Sequence, residues 1–297
     1  QDYYGVSSTV NSYLTQSPDG GLMRVQAGAI DSQTLLIEYY DKQYNLQKTM
    51  TLQLSLPIFG AFYEDDNNYY ILTGANNQER DNTKEVYRLT KYSKDWKAQG
   101  SCGLFGANTT IPFDAGSARM ARYGNYIFVR TCHEMYSGHQ ANVTFSVDTS
   151  NMSVIESITG VVDGVGYVSH SFNQFVVNDG YNVYFLDHGD AYDRGLILSS
   201  FSASSDGHIA QRSAVNIFPF MGPAGQNYTG CQVTGFSLAG DNLITVGRSV
   251  PHSFSVNGLT GYENLNKNIF MIITDKNSMA SRFIWLTQYS PSGAEIT

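Results

Sequence analysis

Three short segments of this chain concentrate the side chains that can carry chemistry. One is Arg130-Thr131-Cys132-His133-Glu134-Met135-Tyr136, which continues through Ser137-Gly138 to His139. Another is Tyr167-Val168-Ser169-His170-Ser171. The last is Asp187-His188-Gly189-Asp190, running on through Ala191-Tyr192-Asp193 to Arg194. Neutral imidazoles bind divalent metals, and a neighbouring carboxylate fixes their tautomer. The same pairing can move protons. His133, Glu134, His139, His170, Asp187, His188, Asp190 and Arg194 therefore form the candidate ligand or metal group, and a divalent metal is the cofactor it suggests. Against this, no zinc spacing is matched and no Gly-x-Ser-x-Gly elbow supplies a nucleophile. Two plainer readings stand beside the metal or catalytic one. In one, His133, His170 and His188 are hydrogen-bonded residues that lock loops to their neighbours. In the other, the group is a ligand-binding rim without metal.

What must position these residues is a repeat of about fifty residues. An apolar strand recurs as Leu22-Met23-Arg24-Val25, Asn68-Tyr69-Tyr70-Ile71-Leu72, Asn125-Tyr126-Ile127-Phe128-Val129, Asn182-Val183-Tyr184-Phe185-Leu186 and Asn242-Leu243-Ile244-Thr245-Val246. The strand after each ends in a polar turn; these turns begin at residues 41, 93, 148, 203 and 275, with spacings of 52, 55, 55 and 72. The loop from Pro251 to Lys267 stretches the last unit. Four strands per unit at this period predict a β-propeller, all-β and almost without helix. With the strands of a blade lettered A to D from the axis outward, the blades fall at about 10–54, 58–106, 112–160, 166–218 and 230–288. Residues 10–297 then make one domain, and 1–9 an extended arm ahead of it. Strand alternation puts the B–C loops and D–A connections on one rim, together with five of the six histidines, including His252. Asp41, Asp148 and Asp275 fit turn residues that bond their own backbone.

Five blades are complete, and the tail from Tyr289 looks like the entry to another; either the ring closes with five blades, or a sixth is incomplete or missing. Gln1–Thr9, with Tyr3, Tyr4 and Val6, is apolar enough to dock. It is expected to cover an open edge within its own chain or to mediate self-association with a neighbouring copy.

Bulk properties narrow the function classes. Charged residues are 15% of the 297, aromatics 13%, and the formal charge is −8. That balance argues against nucleic acid or an anionic membrane surface as partner. No apolar run reaches the roughly 18–20 residues of a membrane span. The Tyr-, Asn- and Ser-rich composition and a first residue other than Met suit a processed, secreted protein. Four sequons, at Asn108, Asn142, Asn151 and Asn227, are candidate glycosylation sites. Cys102, Cys132 and Cys231 match no metal motif and read as small buried hydrophobes, although an odd count leaves pairing with another chain open.

The segments His133-Glu134-Met135-Tyr136, His139-Gln140-Ala141-Asn142, Ser169-His170-Ser171-Phe172-Asn173-Gln174 and Asp187-His188-Gly189-Asp190-Ala191-Tyr192 resemble blocks in uncharacterised secreted bacterial proteins with propeller-like repeats. The resemblance implies a β-propeller and an extracellular location, and it brings neither an activity nor catalytic residues. Together these readings favour an extracellular propeller that binds a glycan or protein partner, or copies of itself. The alternative is a metal-assisted hydrolase or lyase working at the His-rich rim of blades 3 to 5.

Overall fold

The structure is a computed structural model that describes residues 10–17, 19–114, 116, 118–160, 168, 170–191, 194–203, 206–221, 229–251 and 266–289. Five four-stranded antiparallel sheets follow one another along the chain, each in simple sequential strand order. Blade 1 is β1 (Ser12–Gln16), β2 (Leu22–Asp31), β3 (Thr34–Tyr40) and β4 (Leu46–Gln53). Blade 2 is β5 (Ile58–Glu64), β6 (Asn68–Gly74), β7 (Glu85–Ser93) and β8 (Ala98–Phe105). Blade 3 adds a short strand, β9 (Thr109–Pro112), to β10 (Arg119–Tyr123), β11 (Tyr126–Met135), β12 (Gln140–Asp148) and β13 (Ser153–Ile158). Blade 4 is β14 (Ser171–Asn178), β15 (Asn182–Gly189), β16 (Gly195–Ala203) and β17 (Ile209–Pro219). Blade 5 is β18 (Gln232–Ala239), β19 (Asn242–Ser249), β20 (Asn268–Asp275) and β21 (Ser281–Trp285). This is the expected β-propeller of four-stranded blades, with no helix among the described residues. No helix there is long and apolar enough to cross a membrane. The arm Gln1–Thr9 and the tail beyond Tyr289 lie outside the described residues.

Successive side chains along a strand point to opposite faces, so runs of apolar residues give a sheet two apolar faces and neighbouring blades share a core. Met23, Val25, Leu35 and Ile37 of blade 1 meet Phe62, Tyr69, Ile71 and Trp96 of blade 2. The opposite face of blade 2, with Tyr70, Leu72 and Leu89, meets Ile127, Val129 and Val143 of blade 3. Phe128 joins Val183, Phe185 and Phe201 across the third seam, and Tyr184, Leu186 and Phe218 join Leu243, Phe270 and Ile272 across the fourth. Burial follows from this. In blades 2 to 4, strands β6, β11, β12 and β15 are buried almost continuously, because both faces are covered. In blades 1 and 5, strands β2, β3, β19 and β20 are buried chiefly at alternate positions, those on the face that meets a neighbouring blade among the described residues. No core cluster among the described residues joins blade 5 to blade 1.

Turn chemistry fixes the blades at the A–B end. Asp65 accepts hydrogen bonds from the backbone N–H groups of Asn67 and Asn68 at 2.9 and 2.8 Å, and from the Tyr70 hydroxyl at 3.0 Å. Asp179 repeats the arrangement with Tyr181, Asn182 and Tyr184 at 2.9, 2.8 and 3.1 Å. In each case the next blade supplies a cation: Arg122 bonds Asp65, and Lys276 reaches Asp179 at 3.2 Å. The carboxylate thus closes its own turn and clamps the neighbouring blade. Burial, with Asp65 accepting its proton, pushes the Tyr70 hydroxyl up to about 12. At the C–D end, Asp41, Asp148 and Asp275 accept from the backbone two residues ahead at 2.9, 2.8 and 3.0 Å, as turn residues do.

The strand β9 was not legible in the repeat. It pairs with the end of β11, in line with β10. Between the two strands the chain turns at Phe113, whose φ is 57°. The Phe113 ring fills a slot in blade 2 that exists only because Gly60 and Gly74 lack side chains. A Cβ on Gly60 would lie 2.3 Å from the ring, and one on Gly74 2.7 Å from it. Gly60→Ala should therefore lower stability by roughly 1–3 kcal/mol in urea unfolding through overpacking. Gly235→Ala, where an added Cβ meets nothing within 4 Å, should stay within about 0.5 kcal/mol or stabilise. Equal effects at the two positions would contradict this packing.

Candidate functional site

The ends of β11 and β15 reach the same rim as predicted, but side-chain alternation sends their chemistry into different seams. On β11, His133 shares a face with Val129, which packs against blade 2, while Arg130 and Cys132 share the face of Phe128, directed at blade 4. On β15, Asp187 shares the face of Phe185 toward blade 3, and His188 that of Leu186 toward blade 5. His133 and His188 thus point away from each other across two blades.

Each buried group meets partners inside its seam. His133 is fully buried, and its Nδ1 lies 2.7 Å from the Thr109 hydroxyl. That hydroxyl donates to the Ala107 carbonyl, so it accepts from the imidazole, which is then the neutral Nδ1–H tautomer. Nε2 is buried and without a partner, and burial pulls the pKa down to about 3. The His188 Nε2–H donates to the Cys231 carbonyl at 2.9 Å, and its ring lies 4.7 Å from that of Phe220; burial lowers its pKa as well. Glu134 accepts from the Thr110 hydroxyl at 2.7 Å. Asp187 holds Arg130: Nε lies 3.2 and 3.1 Å from its two oxygens and Nη2 2.5 Å from one of them, with side chains 3% and 0% exposed. Ser171 donates to Asp187 at 3.0 Å, and Gln174 donates to Ser171 at 2.7 Å. Arg194 caps the rim through its carbonyl, which accepts from the Asn216 amide at 2.9 Å.

One pair of predicted residues is brought together near solvent. His170, at φ 54°, places Nδ1 3.0 Å from Asp190, and this hydrogen bond raises the imidazole pKa. The His170 side chain is 31% exposed. His139 sits exposed on the β11–β12 turn. Among the described residues no three His, Cys, Asp or Glu side chains stand close enough to hold a metal ion. His252, Ser169, Tyr192 and Asp193 lie outside the described residues. None of the three cysteines forms a disulfide; burial pushes the Cys102 thiol up to about 12 and lifts Cys132 and Cys231 well above the usual range, so none is a ready nucleophile.

The sequons divide by position. Asn151 is exposed on a turn. The Asn108 amide bonds the Thr159 carbonyl and the Tyr136 N–H. Asn142 is only 6% exposed within β12, and its side-chain oxygen accepts from the Val168 N–H at 3.4 Å. Asn227 lies outside the described residues.

The sequence reading missed a polar cleft on the opposite rim, between blades 1 and 2. It has a volume of 420 Å³ and is lined by Gln16, Ser17, Glu64, Asp65, Asp66 and Lys94. Lys94 lies 3.2 Å from Glu64 and 4.2 Å above the Tyr69 ring. Asp65 is committed to its turn and to Arg122. Glu64-Asp65-Asp66 has the look of an ordinary solvated turn, and only the fold brings Gln16 and Lys94 beside it.

Fold and sites together define a β-propeller. An ancestral GH74 enzyme shares the fold at a TM-score of 0.54 and 11% identity, over 97% of this chain and 37% of that one. Weaker likenesses are to the Synechocystis apocarotenoid oxygenase (TM-score 0.47, 11% identity, 99% of this chain and 66% of that one) and to the Phanerochaete chrysosporium exo-beta-1,3-galactanase with galactose (0.44, 11%, 93% and 63%). The chain thus spans less than two thirds of the length of each. No family model and no curated protein matches it.

The buried histidines set a pH dependence. A group whose folded pKa lies below its unfolded value near 6.5 leaves the unfolded state holding the extra proton between the two values, so stability falls as pH drops through that window. For His133 the window runs from about 6.5 down to about 3. Its share of the slope approaches about 1.4 kcal/mol per pH unit at the centre of the window. His170, with a raised pKa, acts oppositely: its contribution is full below about 6.5 and fades as pH rises through the folded value. Urea unfolding between pH 7 and 4.5 should show stability falling with acid, and His133→Asn should flatten the fall. An unchanged slope in that variant would mean that His133 is protonated in the folded state.

Proposed function

We propose that this protein is a binding propeller, extracellular in setting, that takes a hydroxyl-rich ligand such as a glycan in the cleft between blades 1 and 2. One observation carries the reading. The Asp66 carboxylate and the Gln16 side-chain amide line a cavity of 420 Å³ and form no hydrogen bond among the described residues. A carboxylate accepts from neighbouring hydroxyls, and an amide both donates and accepts, which is the donor–acceptor mixture a diol presents. Lys94 is tied to Glu64 through one N–H and keeps the others for a ligand oxygen. The net acidic lining disfavours anions and suits a neutral sugar. The volume falls within the range of roughly 300–1,000 Å³ common for small-ligand sites.

Hydrolase or lyase chemistry is the second reading, and the His170–Asp190 pair, with His170 reaching solvent and Asp190 nearly buried, favours it. Such a site would work by acid–base transfer with no activated cysteine, and its mark would be turnover of a glycoside that His170→Asn abolishes while binding persists.

Calorimetry against an oligosaccharide panel tests the binding reading. Asp66→Ala should weaken a hit by about tenfold or more, since a hydrogen bond to a charged group contributes roughly 1.5–3 kcal/mol. Gln16→Ala should weaken it less. A panel without a hit, or a hit indifferent to Asp66, would overturn the assignment.

A further inference from the structure

We propose that the axial channel of the propeller holds a second binding site, which takes the carboxylate of a small monoanion on the Arg119 guanidinium and the Tyr13 hydroxyl. Both residues stand on innermost strands, Arg119 on β10 of blade 3 and Tyr13 on β1 of blade 1. Neither lines the cleft between blades 1 and 2. Arg119 shares the face of Tyr123, toward blade 4. Its guanidinium carbon lies 5.2 Å from the centre of the Phe175 ring on β14. Phe175 packs into the seam with blade 5, so the guanidinium meets it past the inner edge of β14, at the axis. The Tyr13 ring packs on Phe59 and Phe62 of blade 2. Burial lowers the pKa of Arg119 and raises that of Tyr13, and each group offsets part of the other's shift, so the two sense one another across the channel.

Charge and hydrogen bonding name the ligand. The Cα partner of Arg119 on β11 is Arg130, which occupies the buried Asp187 carboxylate. Arg119 forms no ion pair among the described residues; its hydrogen bond, from Nη1 to the Ala118 carbonyl, is 3.4 Å long. A half-buried cation without a counterion is costly, and the face of an aromatic ring offsets only part of that cost. The Tyr13 hydroxyl is buried and has no hydrogen-bond partner among the described residues, which also calls for an acceptor. Two N–H groups of a guanidinium match the two oxygens of a carboxylate, and the hydroxyl adds a third donor. One cation and one neutral hydroxyl balance a single negative charge. A divalent sulfate or phosphate would keep a charge uncompensated inside a chain of net charge −8.

Calorimetry of the full chain in low-chloride buffer, with acetate, lactate and glucuronate as probes, tests the proposal. At least one of them should bind saturably, and sulfate should bind more weakly. Arg119→Lys keeps the charge but loses the fork, and should weaken the hit by about tenfold or more. Tyr13→Phe should weaken it by about fivefold. Without ligand, Arg119→Met should melt at or above the wild-type Tm, because it removes a half-buried charge that has no counterion. No binding by any of the three probes, tighter binding of sulfate, or a hit indifferent to Arg119→Lys or to Tyr13→Phe would each overturn the proposal. So would a lower Tm of ligand-free Arg119→Met, which would make the guanidinium a brace between blades. Asp66→Ala should bind the carboxylate like the wild type, so failure here and failure of the cleft assignment are read separately.

Discussion

The ion pair between Arg130 and Asp187 is the constraint on which the centre of the molecule depends. It lies in the seam between blades 3 and 4, fully removed from water, and joins two central strands that share no backbone hydrogen bond. Isolated charges there would cost several kcal/mol each, so geometry and added hydrogen bonds must offset the desolvation. They are present: Thr144 bonds the guanidinium, Ser171 bonds the carboxylate, and the Phe185 ring lies 4.9 Å from the guanidinium carbon. Ser171 also opens β14, so the network fixes where the innermost strand of blade 4 begins. Gln140 bonds both the Ser171 and the Asp114 carbonyls, which ties the same network to the turn leading into β10.

The rest of the architecture repeats this logic more cheaply. Apolar seams supply the bulk of the association between blades, and a polar brace sets the register at each end. Asp65 with Arg122 and Asp179 with Lys276 do so at the A–B rim, and His188 with Cys231 does so at the opposite rim, where His133 with Thr109 fastens β9 within blade 3. A seam buries both faces of a blade only when a blade lies on each side. Among the described residues blades 1 and 5 each share a core with one neighbouring blade, and their strands alternate in burial while those between them do not.

The repeat was legible because its cause is local: alternating apolar residues, then turn residues at a fixed period. The blade boundaries came from that pattern alone. The candidate site was legible only by residue type. Sequence placed His133, His170 and His188 on one rim but could not tell which way each pointed, since a shift of one position on a strand sends a side chain into another seam. Arg130 stood in the same segment, and nothing local marked it as the partner of Asp187, which lies 57 residues on. The cleft was invisible for the same reason, as Lys94 meets Asp66 only through strand pairing across blade 2, and Gln16 only through the packing of blade 1 on blade 2.

The central claim is that the Arg130–Asp187 pair buried at this rim braces blade 3 against blade 4. A double-mutant cycle on Arg130→Met and Asp187→Leu, followed by urea unfolding, tests it most directly. Each single substitution leaves one buried charge without its partner and should cost about 3–5 kcal/mol. The double variant should lose far less than the sum of the two, with a coupling energy of up to about 3 kcal/mol. Single variants as stable as the wild type, or strictly additive losses, would contradict the account.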